Sequence, residues 1–555
     1  MDLARYADSN VEMFPPGKLF RICFDPVTAS FRMFSTDQSA IETLSKTYSC
    51  QNKAAFYSKL YGYDANDRIY VFNKFGFFPT GFIWEILGWI KRTYGTLSCV
   101  AMSKNCMAFL DDFLANLKPI DGNCDADSFE LSNVAQDSGR NKELAGAGKQ
   151  PFLFRDYQEN AIKALLLKGK GRGMVELPTA SGKSFMIANL IWNIEKKFKP
   201  GCRYLIFVPN KQLVEQFYKD LLDYGYRPSD VTRFTAGLKK NEKFDPNAWI
   251  IVANRQYVFT NKAQLPKIDA IVCDEIHQCA NPKSETFQFI QNLACPIKIG
   301  CSGTIPRDSY GRWSLMGLIG RILYVEDICA LQKRGFLSKL KITLVDVKDK
   351  VVENNRNLLF NTRSLRRYNA EDPDSDIAFN DAYNDELKYI EKNFVRLYEP
   401  VLGLVEKMED NVLLLFDRIE FGKSLFEYAK EKNIRGSEIT YIDGTIDVKE
   451  REKIREAFES GGNNILFAQS ACMSTGVNIK RLTNVVYCFS TKGFSKVLQS
   501  IGRTLRLHAE KKEARLFDVS FNFKYSRKHL RERLKIYADM YGKKKPDEVV
   551  KFEVS

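Results

Sequence analysis

The stretch ELPTASGKSFMIAN, Glu176–Asn189, decides the fold. It continues an apolar run, GMVELP (Gly173–Pro178), and leads into SFMIANLIWNIEKKF (Ser184–Phe198), which has the spacing of a helix. A strand, a tight turn and a helix with Gly-Lys-Ser at the junction form a phosphate-binding loop. Backbone N–H groups of such a turn point at phosphate oxygens, and a helix N-terminus stands behind them. Gly182 lets the ligand approach closely. Lys183 supplies a charge for the β- and γ-phosphates, and Ser184 supplies a Mg²⁺ ligand. Leu177 occupies the position of the first glycine in the general pattern. That glycine serves backbone geometry, so Pro178, Thr179, Ala180 and Ser181 are expected to build the turn another way. On its own, Gly-Lys-Ser is also compatible with chance.

The next element narrows the choice. IDAIVCDEIH (Ile268–His277) is an apolar strand with Asp274 and Glu275 at its carboxyl end, where parallel sheets place ligands. Phosphoryl transfer to water needs one carboxylate to hold Mg²⁺ and another to orient and deprotonate the nucleophile. Asp274 and Glu275 are assigned those roles. An Asp-Glu pair ending a strand is otherwise a solvated turn; its position after the loop favours catalysis.

Around these motifs short apolar runs alternate with helical patterns. RYLIFVP, WIIVAN and IDAIVCDE are strands, and KQLVEQFYKDLLDY is a helix. A second alternating series contains NVLLLFD, FGKSLFEYAKEK, EITYIDG, REKIREAFES, NILFAQS and NVVYCFS. Short buried runs separated by helices imply doubly wound parallel sheets. The expected class is α/β, with two tandem RecA-like domains and a small N-terminal α/β accessory domain. The expected boundaries are an accessory domain over 1–118, a linker over 119–150, a first RecA-like domain over 151–340, a polar hinge over 341–388, a second RecA-like domain over 389–520 and a basic helical tail over 521–555. The linker reading rests on the Asp, Asn, Ser, Gly and Ala content of Pro119–Gln150. In the N-terminal module, KLFRICFD and ASFRMFS read as paired strands, DRIYVFN as another, and DQSAIETLSKTYS and GFIWEILGWIKRTYG as helices.

The ordered set of motifs resembles superfamily 2 helicases. PTASGKS and DEIH are similar to that family's first two signatures, whose loop lacks the first glycine. RDYQENAI resembles the adenine-contacting region, which implies roles for Arg155 and Gln158. VPNKQLVEQ and VANRQYV resemble strand-binding motifs of the first domain. SGT (Ser302, Gly303, Thr304) resembles the motif that couples hydrolysis to DNA binding, a role shared with His277. ILFAQSACMSTGVNI resembles a strand-binding motif of the second domain. QSIGRTLR resembles the motif in which Gln499, Arg503 and Arg506 face the γ-phosphate. An arginine there neutralises charge that builds on the γ-oxygens in the transition state, worth roughly 10³–10⁵ in rate. Arg503 and Arg506 stand about one helical turn apart. The resemblance makes Asn210, Lys211, Arg255 and Gln256, with Ser474 and Thr475, the DNA-backbone candidates; capping and turn roles suit them equally. From about Phe154 onward the chain is similar to phage recombination helicases of the UvsW type, and less strongly so in its N-terminal module. That implies an ATP- and Mg²⁺-dependent DNA helicase that unwinds or branch-migrates forks, Holliday junctions and R-loops. An RNA helicase or a restriction-system translocase subunit would share the motor motifs, and a non-hydrolysing nucleic-acid-binding scaffold is the remaining alternative.

Composition agrees with this class. A formal charge of +15 points to an acidic partner, nucleic acid first. The tail KYSRKHLRERLKIYADMYGKKKPDEVVK interleaves basic residues with tyrosines, which suits either DNA or a packed helix. Thirteen cysteines include no C-x-x-C pair, so free thiols in a reducing compartment are expected rather than a disulfide framework. Three histidines leave little for a transition-metal cluster. The longest greasy stretch, GFFPTGFIWEILGWI, contains Glu85 and is shorter than the roughly 20 residues of a membrane span. A signal-peptide core is not evident at the N-terminus. A cytoplasmic monomer acting on branched DNA or an RNA–DNA hybrid is the expectation, in the host cytoplasm if phage-encoded.

Overall fold

The computed structural model describes residues 14–25, 30–51, 68–238, 243–354, 375–436, 438–461, 463–473, 482–488, 502 and 513–555. The chain divides into two compact units. One spans the chain through Glu326; the other runs from Asp327 and takes in Pro178–Ser181.

The first unit opens with a small mixed sheet. Strands β1 (Phe20–Asp25) and β2 (Ser30–Ser35) pair antiparallel, and β3 (Ser49–Gln51) pairs with β4 (Arg68–Tyr70) in a separate two-stranded sheet. Strands β5 (Phe77–Pro79) and β6 (Val100–Met102) complete the order β5-β2-β1-β6. The apolar face of helix Ile83–Tyr94 covers this sheet with Ile83, Ile86, Leu87 and Ile90. The module is fitted to the following domain. Tyr48 meets Trp313 edge-on at 5.7 Å, and Arg321 pairs with Glu85 at 3.2 Å. Gly81 and Gly317 lie so close to the opposing chain that a Cβ would stand 2.2 Å from the Met316 carbonyl oxygen and 2.4 Å from the Pro79 ring, respectively.

Seven parallel strands follow: β7 (Arg172–Glu176), β8 (Tyr204–Val208), β9 (Val231–Phe234), β10 (Ile250–Asn254), β11 (Ala270–Asp274), β12 (Ile297–Ser302) and β13 (Ile322–Val325). Their order is β13-β7-β12-β11-β8-β10-β9. Every residue of β8, β10, β11 and β12 is buried, which explains their unbroken apolar runs. Registers set Ser302 opposite Glu176 and Asp274 opposite Cys301, so β7, β12 and β11 end side by side.

The stretch 119–150, expected as linker, folds onto this domain. It contains helices Val134–Asp137 and Arg140–Gly146. Buried Asn189 accepts from the Val134 N–H at 2.9 Å, and buried Asn193 exchanges bonds of 2.9 and 2.8 Å with Ser132. Asn141 both accepts from and donates to the Phe152 backbone. The attachment is made by amides, so counting apolar residues missed it.

The second unit has its own seven-stranded parallel sheet. Strands β14 (Leu340–Asp349), β15 (Val412–Phe416), β16 (Ile439–Ile442), β17 (Ile465–Gln469), β18 (Asn484–Tyr487), β19 (Ala514–Phe521) and β20 (Glu548–Val554) lie in the order β16-β17-β15-β18-β19-β14-β20. Two expectations are corrected here. The polar stretch 341–388 is not simply a hinge: β14 is a core strand flanked by β19 and β20, and helix Ser375–Lys392 follows. Its acids disguised it. Asp349 receives a two-pronged Arg396 pair at 2.7 and 2.8 Å, and Asp346 receives Arg527. Nor is 521–555 a basic helical tail, because helix Lys524–Tyr541 buries Arg533 and Tyr537 against β19 and the chain ends in β20. Arg533 binds both Asp518 oxygens, at 3.0 and 2.8 Å, and Tyr537 donates to Asp518 at 2.7 Å.

Buried Glu386 holds the N-terminus of that helix, accepting from the Tyr525 and Ser526 N–H groups at 2.8 Å each. Burial pushes its carboxyl up to about 7, against the pull of those two bonds and of Lys524. A carboxyl raised on folding favours the protonated folded form, so its contribution is fullest below the ordinary glutamate range and declines as pH rises through 7. Thermal unfolding of wild type and Glu386→Gln between pH 5 and 8 should show wild type losing stability relative to the variant as pH rises. Parallel pH dependences would refute this.

Candidate nucleotide-hydrolysis site

Leu177 answers the question posed by the missing glycine. It is fully buried, and its N–H extends the sheet to the Ser302 carbonyl at 2.9 Å. The reversal comes later, with left-handed backbone at Ala180 (φ 69) and Gly182 (φ 79). The Ser181 N–H closes the turn on Pro178, and Gly182 caps helix Lys183–Asn193. Glycine is required at 182 for a second reason. A Cβ there would stand 2.6 Å from the Gln158 amide nitrogen.

Gln158 is 3% exposed and braces the loop. Its amide donates to the Gly182 carbonyl at 3.4 Å and accepts from the Arg155 N–H at 3.1 Å. Arg155 donates to the Tyr157 hydroxyl at 2.9 Å. Lys183 reaches back to the Leu177 carbonyl at 3.3 Å. The Ser184 hydroxyl bonds the Tyr224 hydroxyl at 2.9 Å. The sequence carried no signal for Tyr224, which comes from the end of a neighbouring helix.

Asp274 and Glu275 stand beside this loop at the end of β11. Burial, and then the Glu275 charge, push the Asp274 carboxyl upward, with Lys183 opposing. Burial also acts to raise Glu275, but the His277 hydrogen bond and Lys183 outweigh it and hold that carboxyl low. Glu275 sits in left-handed backbone at φ 50 and ψ 49, a conformation a glutamate keeps only where its surroundings fix it. His277 Nδ1 lies 3.2 Å from Glu275 Oε2, 2.8 Å from Ser302 Oγ and 3.4 Å from Thr304 Oγ1. The Ser302 hydroxyl reaches Glu275 at 3.4 Å and accepts from the Thr304 N–H at 3.0 Å. The residues expected to couple hydrolysis to strand binding, including Gly303 between the two hydroxyls, thus converge on the expected base.

The expected DNA contacts fare differently. Asn210 caps its own helix, accepting from the Leu213 N–H at 2.9 Å. Lys211 and Gln256 are exposed. Arg255 is 7% exposed and donates to the Asp274 and Glu275 carbonyls, so it is not available to a strand. Its assignment as a DNA contact is corrected: the guanidinium is spent inside the fold. Ser474, Thr475, Gln499, Arg503 and Arg506 lie outside the described residues.

Comparison with known proteins defines the class. Residues 152–307 match the family described as type III restriction enzyme, res subunit, and residues 396–508 match the helicase conserved C-terminal domain. The chain is a superfamily 2 ATP-dependent helicase. Within that superfamily it is similar to the UvsW helicase. It is 25% identical over 398 residues to the ATP-dependent DNA helicase uvsW of Enterobacteria phage T4, spanning 70% of this chain and 73% of that protein. It is 23% identical over 399 residues to putative helicase 22 of a Sulfolobus islandicus filamentous virus, spanning 67% of this chain and 65% of that one. Among solved structures, the Saccharomyces cerevisiae Dbp5 complex with RNA and ADP BeF3 shares the fold at a TM-score of 0.51 and 14% identity, covering 78% of this chain and 96% of that one. The type ISP restriction-modification enzyme LlaBIII bound to DNA does so at 0.52 and 14%, covering 73% and 31%.

Gly182→Ala should weaken nucleotide binding by about tenfold or more, because the methyl displaces Gln158 and strains the turn. Fluorescent-nucleotide titration reads the change, and wild-type affinity would refute the loop assignment.

Proposed function

We propose that this helicase is a DNA motor that unwinds or branch-migrates forks, Holliday junctions and R-loops in recombination and replication, working as a monomer. The observation that carries the hydrolytic part is the placing of Asp274 and Glu275 beside the Lys183 loop, with Glu275 held by His277 and Ser302. The branched-DNA part draws on the UvsW-type relationship and on the +15 charge.

Each residue has a stated task. Backbone N–H groups of residues 179–184 and the Lys183 ammonium receive the phosphates. Arg155 and Gln158 are assigned to the adenine by motif. The donor set suits Mg²⁺: it is all oxygen, and Asp274 Oδ1 is buried with no hydrogen-bond partner among the described residues. Ser184 and Asp274 would hold the ion, which when bound neutralises phosphate charge. Glu275, kept ionised by its neighbours, accepts the proton of the attacking water. Gln499, Arg503 and Arg506 are assigned to the γ-phosphate by motif. Lys211, Gln256, Ser474 and Thr475 are assigned to the strand backbone.

The test compares ATP turnover and strand displacement on single-stranded, duplex, forked, four-way and RNA–DNA substrates. Forks or four-way junctions should stimulate most, and Lys183→Ala should abolish stimulated turnover while remaining folded. Stimulation by RNA alone would overturn the DNA reading, and retained turnover in Lys183→Ala would overturn the site.

A further inference from the structure

Arg255 lies at the end of β10, yet it acts on the turn that ends β11. Strand β8 lies between the two. The side chain crosses that gap over the Phe207 ring, its guanidinium carbon 5.9 Å from the ring centroid. One terminal nitrogen then donates to both the Asp274 and Glu275 carbonyls at 3.1 Å, and the other to Gln278 Oε1 at 3.1 Å. The two carbonyls belong to the two residues whose carboxylates face the phosphate loop. Between them the chain turns into left-handed backbone at Glu275. A planar guanidinium that holds both carbonyls through one terminal nitrogen and Gln278 through the other fixes where the two side chains leave the backbone.

We propose that Arg255 is a positioning residue that locks the Asp274–Glu275 turn in its hydrolytic geometry and ties that turn to the neighbouring strand-contacting segment. This inference rests on the hydrolytic site proposed above. The link to the segment follows from chain order. Gln256 is exposed beside buried Arg255 at the start of helix Arg255–Asn261. A strand that engages Gln256 acts on the residue next to the one that holds the carboxylate turn. Tyr257, one position further, packs edge-on against Phe234 at 4.9 Å, which keeps the start of this helix in place. Arg255 touches neither nucleotide nor strand in this scheme; it transmits through the backbone it binds.

The test is steady-state ATP turnover with and without single-stranded DNA, and fluorescent-ADP affinity, for wild type, Arg255→Ala, Arg255→Lys and Gln278→Ala. Arg255→Ala should lower stimulated kcat by roughly 10- to 100-fold while nucleotide affinity stays within about twofold. Its stimulation ratio should fall as well. Arg255→Lys should recover part of kcat, since one ammonium can still reach a carbonyl. Gln278→Ala, which removes only the side-chain partner, should stay near wild type. Unchanged kcat and stimulation in a folded Arg255→Ala would overturn the inference. Equal loss of nucleotide affinity and kcat would also overturn it, by showing general disruption of the domain. If Arg255→Ala does not fold, Arg255→Lys decides: wild-type stimulation in that variant overturns the fork argument. Absence of turnover in wild type would instead strike the hydrolytic reading itself.

Discussion

Three parallel strands that end side by side bring the candidate hydrolytic residues of this molecule together. Strand β12 pairs with β7 on one side and β11 on the other. Their carboxyl ends deliver the Lys183 loop, the Ser302 hydroxyl and the Asp274–Glu275 pair to one edge. Parallel pairing is what makes this possible, since only then do all three strands present the same end. The registers are enforced by burial, because a slip of one residue would turn the apolar side chains of a fully buried strand out of place. Catalytic geometry is therefore a consequence of core packing.

Polar groups inside the fold do structural work that apolar patterning does not announce. Asn189 and Asn193 sit on the helix that follows the phosphate loop and tie down the segment 119–150. Asp518 gathers Arg533 and Tyr537, all three nearly inaccessible to water. Leaving one member of such a buried set alone exposes an unpaired charge to a low-dielectric interior, which typically costs about 3–5 kcal/mol. Arg255 belongs to the same class. It spends its charge on backbone carbonyls, and the two carboxylates feel it, since it lowers both.

Much of this was legible in the sequence. The runs RYLIFVP, WIIVAN and IDAIVCDE became β8, β10 and β11 because a strand buried on both faces has no polar positions to obscure it. Gly182, Lys183, Asp274 and Glu275 stood out in the sequence as motif residues, and the strand order brings them to neighbouring strand ends. Strand β14 was not, since Asp346 and Asp349 are neutralised by arginines far along the chain, which a local window does not register. Strand β20 is an edge strand with a mostly exposed, charged pattern, so it resembled a solvated tail. Arg255 was misassigned for a related reason: a basic residue in a strand-binding motif looks like a phosphate contact until its burial is known. Tyr224 meets Ser184 only through tertiary packing.

The central claim is that Glu275, oriented by His277 and Ser302, is the base for water attack on a triphosphate bound at the Lys183 loop. Glu275→Gln keeps the shape and removes the proton acceptor. Nucleotide affinity and single-turnover hydrolysis measured on that one variant test the claim most directly. Wild-type affinity with hydrolysis reduced by roughly 10²-fold or more is the predicted result. Hydrolysis near the wild-type rate would contradict it.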